Sequence, residues 1–162
     1  MDMPVLIPIP IETKGKSFFV RMWIWLTSIR KWRIGKDWRY KIANGEYIVI
    51  PKGFVFDGAS VPRVCWGILS PTGLLFIQSL LHDFGYRYDY LWAETINHIF
   101  YKYKKNSGKL YWDLMFKKIG KEVNGTSIIN YVAYIAVKYG GGHAWRNNRK
   151  LKAPNILPER EI

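Results

Sequence analysis

Two short stretches of this chain carry side chains that could do chemistry together. One is a turn rich in glycine and proline at residues 49–63, and the other lies at residues 80–87. Carboxylates, a hydroxyl, an imidazole and a guanidinium are the groups that acid–base, nucleophilic and metal-assisted reactions use. The candidate site residues in the two stretches are Asp57, Ser60, Arg63, His82 and Asp83.

A metal site is the first chemistry that these residues could support. Asp57, His82 and Asp83 are common metal-ligand types, and Glu94 or His98 could supply a fourth ligand. An adjacent His-Asp pair also occurs in metal-dependent phosphohydrolases, but the remaining ligands of such enzymes are not evident in this sequence. The metal site is therefore one hypothesis among several.

Nucleophilic catalysis is the second possibility. Ser60, His82 and Asp57 could form a triad, because triads are defined by geometry and not by order in the chain. The sequence lacks the G-x-S-x-G turn that exposes such a serine in many hydrolases. The single cysteine, Cys65, lies beside Trp66 in apolar surroundings, which favours an inert buried thiol.

The same residues also fit a structural clamp, which is the interpretation we favour. Asp57 could accept backbone N–H bonds within its own turn, and Arg63 could pair with Asp83 or with Asp57. Gln78, His82 and Tyr86 share one helix face at a spacing of four residues. Because buried polar groups need partners, we expect this polar column to meet the turn at residues 57–63.

The surrounding pattern predicts an α+β fold, with a small N-terminal antiparallel β layer packed on three or four C-terminal helices. Residues 38–42 and 47–50 read as strands, and Asn44-Gly45 between them is a hairpin turn signal. Apolar residues then recur at helical spacing. The predicted helices cover residues 72–86, 91–105, 109–123 and 126–139.

The chain divides into an N-terminal arm and apolar segment at residues 1–31, a single α+β domain at 32–145, and a polar tail at 146–162. We expect the tail to be loose. The apolar stretch at residues 17–29 is too short to span a bilayer. It could be an interfacial amphipathic helix, although packing on its own domain or on a partner is the interpretation we favour.

Composition excludes several classes of protein. With 49% hydrophobic residues and one cysteine among 162, the chain is neither disordered throughout nor a disulfide-stapled scaffold. A net charge of +13 favours nucleic acid bound without sequence specificity, an acidic protein surface or an anionic membrane as the partner. Aromatic and basic residues that alternate near the N-terminus are candidates for such contacts: Trp32, Arg33, Trp38, Arg39 and Tyr40.

These motifs together resemble a known family, the phage-encoded domain of unknown function 1353. The resemblance covers residues 32–145 and includes a closing element at Val137, Gly140-Gly141 and Trp145. It departs from the family at Asn97, where members often carry an aspartate. The central motif is Ile50-Pro51, Gly53-Phe54, Asp57, Ala59-Ser60, Pro62-Arg63, His82-Asp83 and Tyr86.

The resemblance implies a genomic context rather than a reaction. Family members are encoded by tailed bacteriophages and prophages, and no activity is established for them. We therefore expect a virion-associated structural protein of the tail or neck, present in the host cytoplasm during assembly. Its partners would be other phage structural proteins. The alternative is a metal-dependent or serine-type hydrolase. We expect no cofactor, apart from a divalent metal under that alternative.

Overall fold

The structure is a computed structural model that describes residues 2–27, 31–57, 74–125, 127–151 and 153–159. These residues form seven strands and five helices, and the predicted α+β class is confirmed. In chain order the elements are β1 (Leu6–Ile9), α1 (Phe18–Thr27), β2 (Lys31–Ile34), β3 (Trp38–Lys41), β4 (Tyr47–Ile50), β5 (Val55–Phe56), α2 (Phe76–Tyr88), β6 (Leu91–Glu94), β7 (Phe100–Tyr103), α3 (Gly108–Asn124), α4 (Ser127–Gly140) and α5 (Gly142–Lys150).

The first sheet is antiparallel, with the strand order β1-β2-β5. β1 comes from the proline-rich arm and pairs Leu6 with Ile34 and Ile9 with Lys31. Proline cannot donate to a strand ladder, so a strand containing Pro8 is tolerated at a sheet edge. The arm is therefore extended, as its prolines predict, and it contributes an edge strand.

The second sheet is also antiparallel, with the strand order β3-β4-β6-β7. Its first hairpin joins β3 to β4 at the predicted turn, where Gly45 has a φ of +85° and the Ile42 N–H donates to the Glu46 carbonyl at 2.9 Å. The positive φ explains why glycine stands there. The two predicted strands and their turn are confirmed.

The prediction of a helix over residues 91–105 is wrong, because this segment is the hairpin of β6 and β7. One edge of β4 pairs with β3, and β6 pairs with the other edge through Ile48 and Ala93. All four residues of β6 are buried, so its sequence lacks the alternation that marks a half-buried strand. An apolar run of this kind fits a helix or a buried strand equally well.

The helices of the second half pack around α2, which is buried along almost its whole length. α3 ends at Gly125, with a φ of +67°, as the Asn124-Gly125 stop signal predicts. Residues 142–150 form α5, so the expectation of a loose tail at residues 146–162 is wrong for residues 146–150. Arg149 on α5 donates to the carbonyls of Tyr86 and Arg87, at 2.7 and 2.6 Å, and so satisfies the C-terminal end of α2.

Residues 153–159 lie along the molecule's own surface. The Trp92 indole N–H donates to the Ile156 carbonyl at 2.9 Å, and the Glu159 backbone N–H donates to Asp37 at 2.7 Å. The Tyr88 hydroxyl donates to the Pro154 carbonyl at 3.1 Å. The contacts that hold this segment thus come from the same chain.

α1 behaves differently from the other helices because its described apolar side chains are largely exposed. Phe18 and Phe19 are 72% and 76% exposed, so these two rings do not pack on the domain. Within the described part of the chain, no helix has both the length and the apolar character that crossing a membrane requires.

Close packing of α2 on α3 depends on a glycine. A Cβ atom added to Gly85 would lie 2.5 Å from the ring of Trp112, a buried side chain on α3. That distance is well inside van der Waals contact, and a buried aromatic ring has little room to move. The two helices can approach this closely because residue 85 has no side chain.

We therefore expect Gly85→Ala to destabilise the fold by about 1–3 kcal/mol, because overpacking outweighs the gain in helix propensity. Gly140→Ala is the matched control, since nothing lies within 4 Å of the added Cβ there. Urea denaturation followed by circular dichroism measures both variants. Equal midpoints for the two would contradict the packing argument.

Candidate functional site

A buried carboxylate lies at the centre of the candidate site. Asp113 on α3 is 1% exposed, and its Oδ1 accepts a hydrogen bond from the Tyr86 hydroxyl at 2.6 Å. The same oxygen lies 3.2 Å from His82 Nε2. Its Oδ2 accepts from the Lys109 ammonium at 2.7 Å. Three groups from two helices thus converge on one carboxylate, as a buried charge requires.

Lys109 extends this cluster to a third helix. Besides Asp113, its ammonium donates to the Lys138 carbonyl at 2.7 Å and to the Val137 carbonyl at 3.3 Å. These carbonyls belong to the last turn of α4, where the helix dipole favours a cation. A lysine from the start of α3 therefore neutralises both a buried acid and the end of a neighbouring helix.

The protonation of His82 and Asp113 follows from their mutual contact. Burial disfavours charge, so by itself it would lower the pKa of His82 and raise that of Asp113. The hydrogen bond between the two groups opposes burial, together with the Lys109 and Tyr86 bonds at Asp113. On balance the pKa of His82 is raised and that of Asp113 is lowered. The contact therefore favours an imidazolium beside a carboxylate.

The glycine and tryptophan of the closing element form the wall beside Tyr86. A Cβ on Gly141 would lie 2.5 Å from the Tyr86 hydroxyl, and the Trp145 ring meets the Tyr86 ring edge-on at 5.3 Å. Burial and the bond to Asp113 raise the pKa of Tyr86, which keeps its hydroxyl protonated as a donor. Residues that are far apart in the sequence thus enclose this hydroxyl.

Asp83 lies on the other side of His82, next to its Nδ1. Its Oδ1 is 3.9 Å from His82 Nδ1, and its Oδ2 is enclosed without a hydrogen-bond partner in the part of the chain that the structure describes. Burial raises the pKa of Asp83 to about 7, and His82 opposes this while the nearby charge of Asp57 adds to it. Asp83 is therefore influenced both by His82 and by the charge of Asp57, which follows β5.

The two motif stretches thus meet. Arg87 on α2 donates to the Val55 carbonyl at 2.7 Å and lies over the Phe54 ring. Ser60, Arg63 and Cys65 fall outside the described residues, so the expected pairing of Arg63 and the serine and cysteine hypotheses remain predictions.

The described partners of the polar column differ from those we expect. Gln78 donates to Asn130 on α4 at 2.9 Å, whereas His82 and Tyr86 contact Asp113 on α3. These partners lie on later helices, and residues 58–63 of the expected turn fall outside the described residues, so a contact with that turn stays a prediction. Asp113 was missed, although one signal exists: it lies between the apolar residues that form the buried face of α3.

The other predicted ligands belong to a separate cluster. Glu94 on β6 accepts from Arg39 at 2.7 Å and lies 2.8 Å from His98 Nδ1. Neither Glu94 nor His98 contacts His82 among the described hydrogen bonds. No group of three His, Cys, Asp or Glu side chains suited to a metal ion occurs within the described ranges.

The candidate interaction residues divide into buried and exposed sets. Trp38 and Tyr40 are buried, and they donate to the Asp2 carbonyl at 2.8 Å and to Glu122 at 3.2 Å. Neither ring is open for stacking on a base. Trp32 is partly buried against the core, whereas Arg33 is exposed. Basic charge thus reaches the surface here, while the aromatic rings mainly serve the core.

Lys109→Ala tests whether the cluster stabilises the fold. We expect a loss of roughly 2–4 kcal/mol in unfolding free energy, because the substitution leaves Asp113 undercompensated and frees two carbonyls. Lys118→Ala is the matched control, since Lys118 is an exposed lysine on the same helix, 3.8 Å from Glu122, and should cost less than about 1 kcal/mol. Chemical denaturation separates the two. Similar losses of unfolding free energy in the two variants would show that the buried cluster contributes no more than an exposed ion pair.

Stability should also depend on pH in a defined direction. The pKa of Asp83 is raised from 3.8 to about 7 in the folded protein, so folding retains a proton that the unfolded chain releases. The contribution of Asp83 is therefore lost as pH rises toward 7. That of the raised His82 is lost as pH rises through its folded pKa. The lowered pKa of Asp113 matters only in acid, where falling pH removes its contribution.

Between pH 5 and pH 8 we expect the unfolding free energy to fall by on the order of 2 kcal/mol. Asp83→Asn should remove most of this slope, whereas the exposed Asp2→Asn should leave it unchanged. Denaturant titrations at a series of pH values measure the slope. A slope equally steep in the Asp83 variant would refute the assignment.

Comparison with known proteins gives a family for this chain. Residues 32–137 match the model of the family described as Protein of unknown function (DUF1353). The match spans more than half of the 162 residues, and the chain belongs to this family. It ends before Gly141 and Trp145, which nevertheless enclose Tyr86. No curated protein and no solved structure matches the chain.

Proposed function

We propose that this DUF1353 protein is a non-enzymatic structural protein of a bacteriophage particle, a tail or neck component that acts through contacts with neighbouring proteins. The observation that carries the non-enzymatic part is the closed state of the polar cluster around Asp113. The phage context rests on the resemblance of the motifs to phage-encoded proteins. In this proposal the protein resides in the virion, and in the host cytoplasm during assembly.

The cluster has the properties of a clamp. A general base needs a lone pair aimed at a substrate, and a general acid needs a proton that a substrate can reach. His82 is 7% exposed and is flanked by Asp83 and Asp113, and the Tyr86 hydroxyl already donates to Asp113. Lys109 is bound by a carboxylate and two carbonyls. These groups satisfy one another, which supports a role in holding the helices together.

The surface supports a role in protein contacts. A groove between α3 and α4 is lined by exposed apolar side chains that include Leu114, Ile128 and Tyr131. Lys117 and Lys121 flank the same groove, and the Lys117 ammonium lies 5.2 Å from the Tyr131 ring centre. Apolar and aromatic contacts beside cations fit an acidic protein neighbour. The net charge of +13 could also favour non-specific contact with packaged DNA.

The hydrolase alternative has one observation in its favour. Asp83 is a partly buried carboxylate whose Oδ2 is shielded from solvent, and burial together with the charge of Asp57 raises its pKa to about 7. Carboxylates perturbed in this way occur at catalytic sites as well as at structural ones. Stoichiometric zinc or manganese in the purified protein, lost on His82→Ala, would favour this alternative over the clamp.

Purified particles provide the main test of the proposal. We expect quantitative mass spectrometry to find this protein at a fixed copy number per particle. Lys117→Glu/Lys121→Glu should lower that number, because reversed charge in the groove repels an acidic neighbour. Lys41→Glu/Lys150→Glu is the control, since it changes the same charge at exposed positions outside the groove. Detection in infected-cell lysate but not in particles would refute the virion role.

A further inference from the structure

α1 lies in the long connection between β1 and β2 of the first sheet. β1 and β2 pair up to Ile9 and Lys31, so the chain leaves the sheet after Ile9 and rejoins it at Lys31, beside the point where it left. α1 occupies residues 18–27 of this connection. The fold therefore holds both ends of the segment and presents the helix between them.

The exposed apolar surface of α1 covers more than one face. Phe18, Phe19, Val20 and Met22 are all at least 45% exposed. At about 100° per residue these four side chains span roughly 200° of the helix circumference. A helix that packs on its own domain buries a single apolar stripe and turns polar residues outward. α1 instead exposes apolar side chains over more than half of its circumference, so an apolar medium that encloses it from several sides fits better than one flat protein face.

Positive charge surrounds this apolar helix. From residue 13 to residue 36 the sequence contains no acidic residue. Exposed cations lie on both sides of the helix in the sequence: Lys14 and Lys16 before it, and Lys31 and Arg33 after it. Aromatic and aliphatic side chains flanked by cations are typical of segments that bind an anionic membrane surface. Among the apolar surroundings that could enclose α1, the positive charge therefore favours an anionic bilayer.

We propose that α1 inserts into one leaflet of a lipid bilayer that contains anionic headgroups. Its ten residues measure about 15 Å, half of the roughly 30 Å hydrocarbon core, so the helix reaches into a single leaflet without crossing. The flanking lysines and arginines contact the headgroups while the phenylalanine rings lie among the acyl chains. This activity does not rest on the virion role and needs none of the groups around Asp113.

Co-sedimentation of the full-length protein with lipid vesicles tests the proposal. We expect binding to vesicles of phosphatidylcholine with phosphatidylglycerol, weaker binding to phosphatidylcholine alone, and loss of binding as salt rises from about 0.05 M to about 0.5 M. Phe18→Ser/Phe19→Ser should lower the partition coefficient between vesicles and water at least about tenfold, because two rings no longer enter the hydrocarbon. Circular dichroism should be unchanged, since both rings are exposed in the fold.

Ile96→Ser/Ile99→Ser is the matched control, because these residues are 79% and 61% exposed and lie outside both α1 and the groove between α3 and α4. This control should bind vesicles as the unmodified protein does. Three results would each overturn the proposal: no binding to the anionic vesicles, equal binding by both double variants, or a dimer that Phe18→Ser/Phe19→Ser dissociates while vesicles are not bound. The last result would assign α1 to a second copy of the chain. None of them depends on whether the protein is found in particles.

Discussion

The helical half of this protein depends on neutralising one buried carboxylate. Asp113 is 1% exposed, and burying its charge is costly unless hydrogen-bonding partners compensate it. These partners come from two helices. α2 supplies His82 and Tyr86, one turn apart, and α3 supplies Lys109, one turn before the acid. Lys109 also binds the last carbonyls of α4. The positions of three helices are therefore coupled, because moving any of them would expose an unpaired charge or carbonyl.

A second carboxylate, that of Asp89, connects the two helices that flank strands β6 and β7 of the larger sheet. Asp89 ends α2 in a left-handed conformation, and its Oδ1 accepts from the Trp112 indole at 2.8 Å and from the Gly108 N–H at 3.0 Å. The Asn106 N–H donates to the Asp89 backbone carbonyl at 2.8 Å. Asp89 thus ties the end of α2 to the start of α3. The chain between them is left to form β6 and β7, which extend the sheet from β4.

The distribution of polar groups bears on where this protein acts. Among the described residues that first suggest catalysis, His82 is bound in the cluster around Asp113, and Asp83 lies beside His82 on α2. Exposed apolar and basic side chains lie elsewhere, on α1 and in the groove between α3 and α4. Such patches on an otherwise well-packed fold are typical of contact surfaces. The interior therefore provides rigidity, and the contacts we propose belong to the outside.

Local signals in the sequence were enough to determine the β3–β4 hairpin, through Asn44-Gly45, and the existence of α2, α3 and α4, through helical periodicity. They also determined the family resemblance and the proximity of the Asp57 and His82 stretches. The sequence could not determine that residues 91–105 pair with β4, because a strand buried on both faces lacks alternation and its partner lies more than 40 residues away. Nor could it determine the partner of His82, since any acid could pair with it. Only the packing of α2 on α3 brings Asp113 to that imidazole.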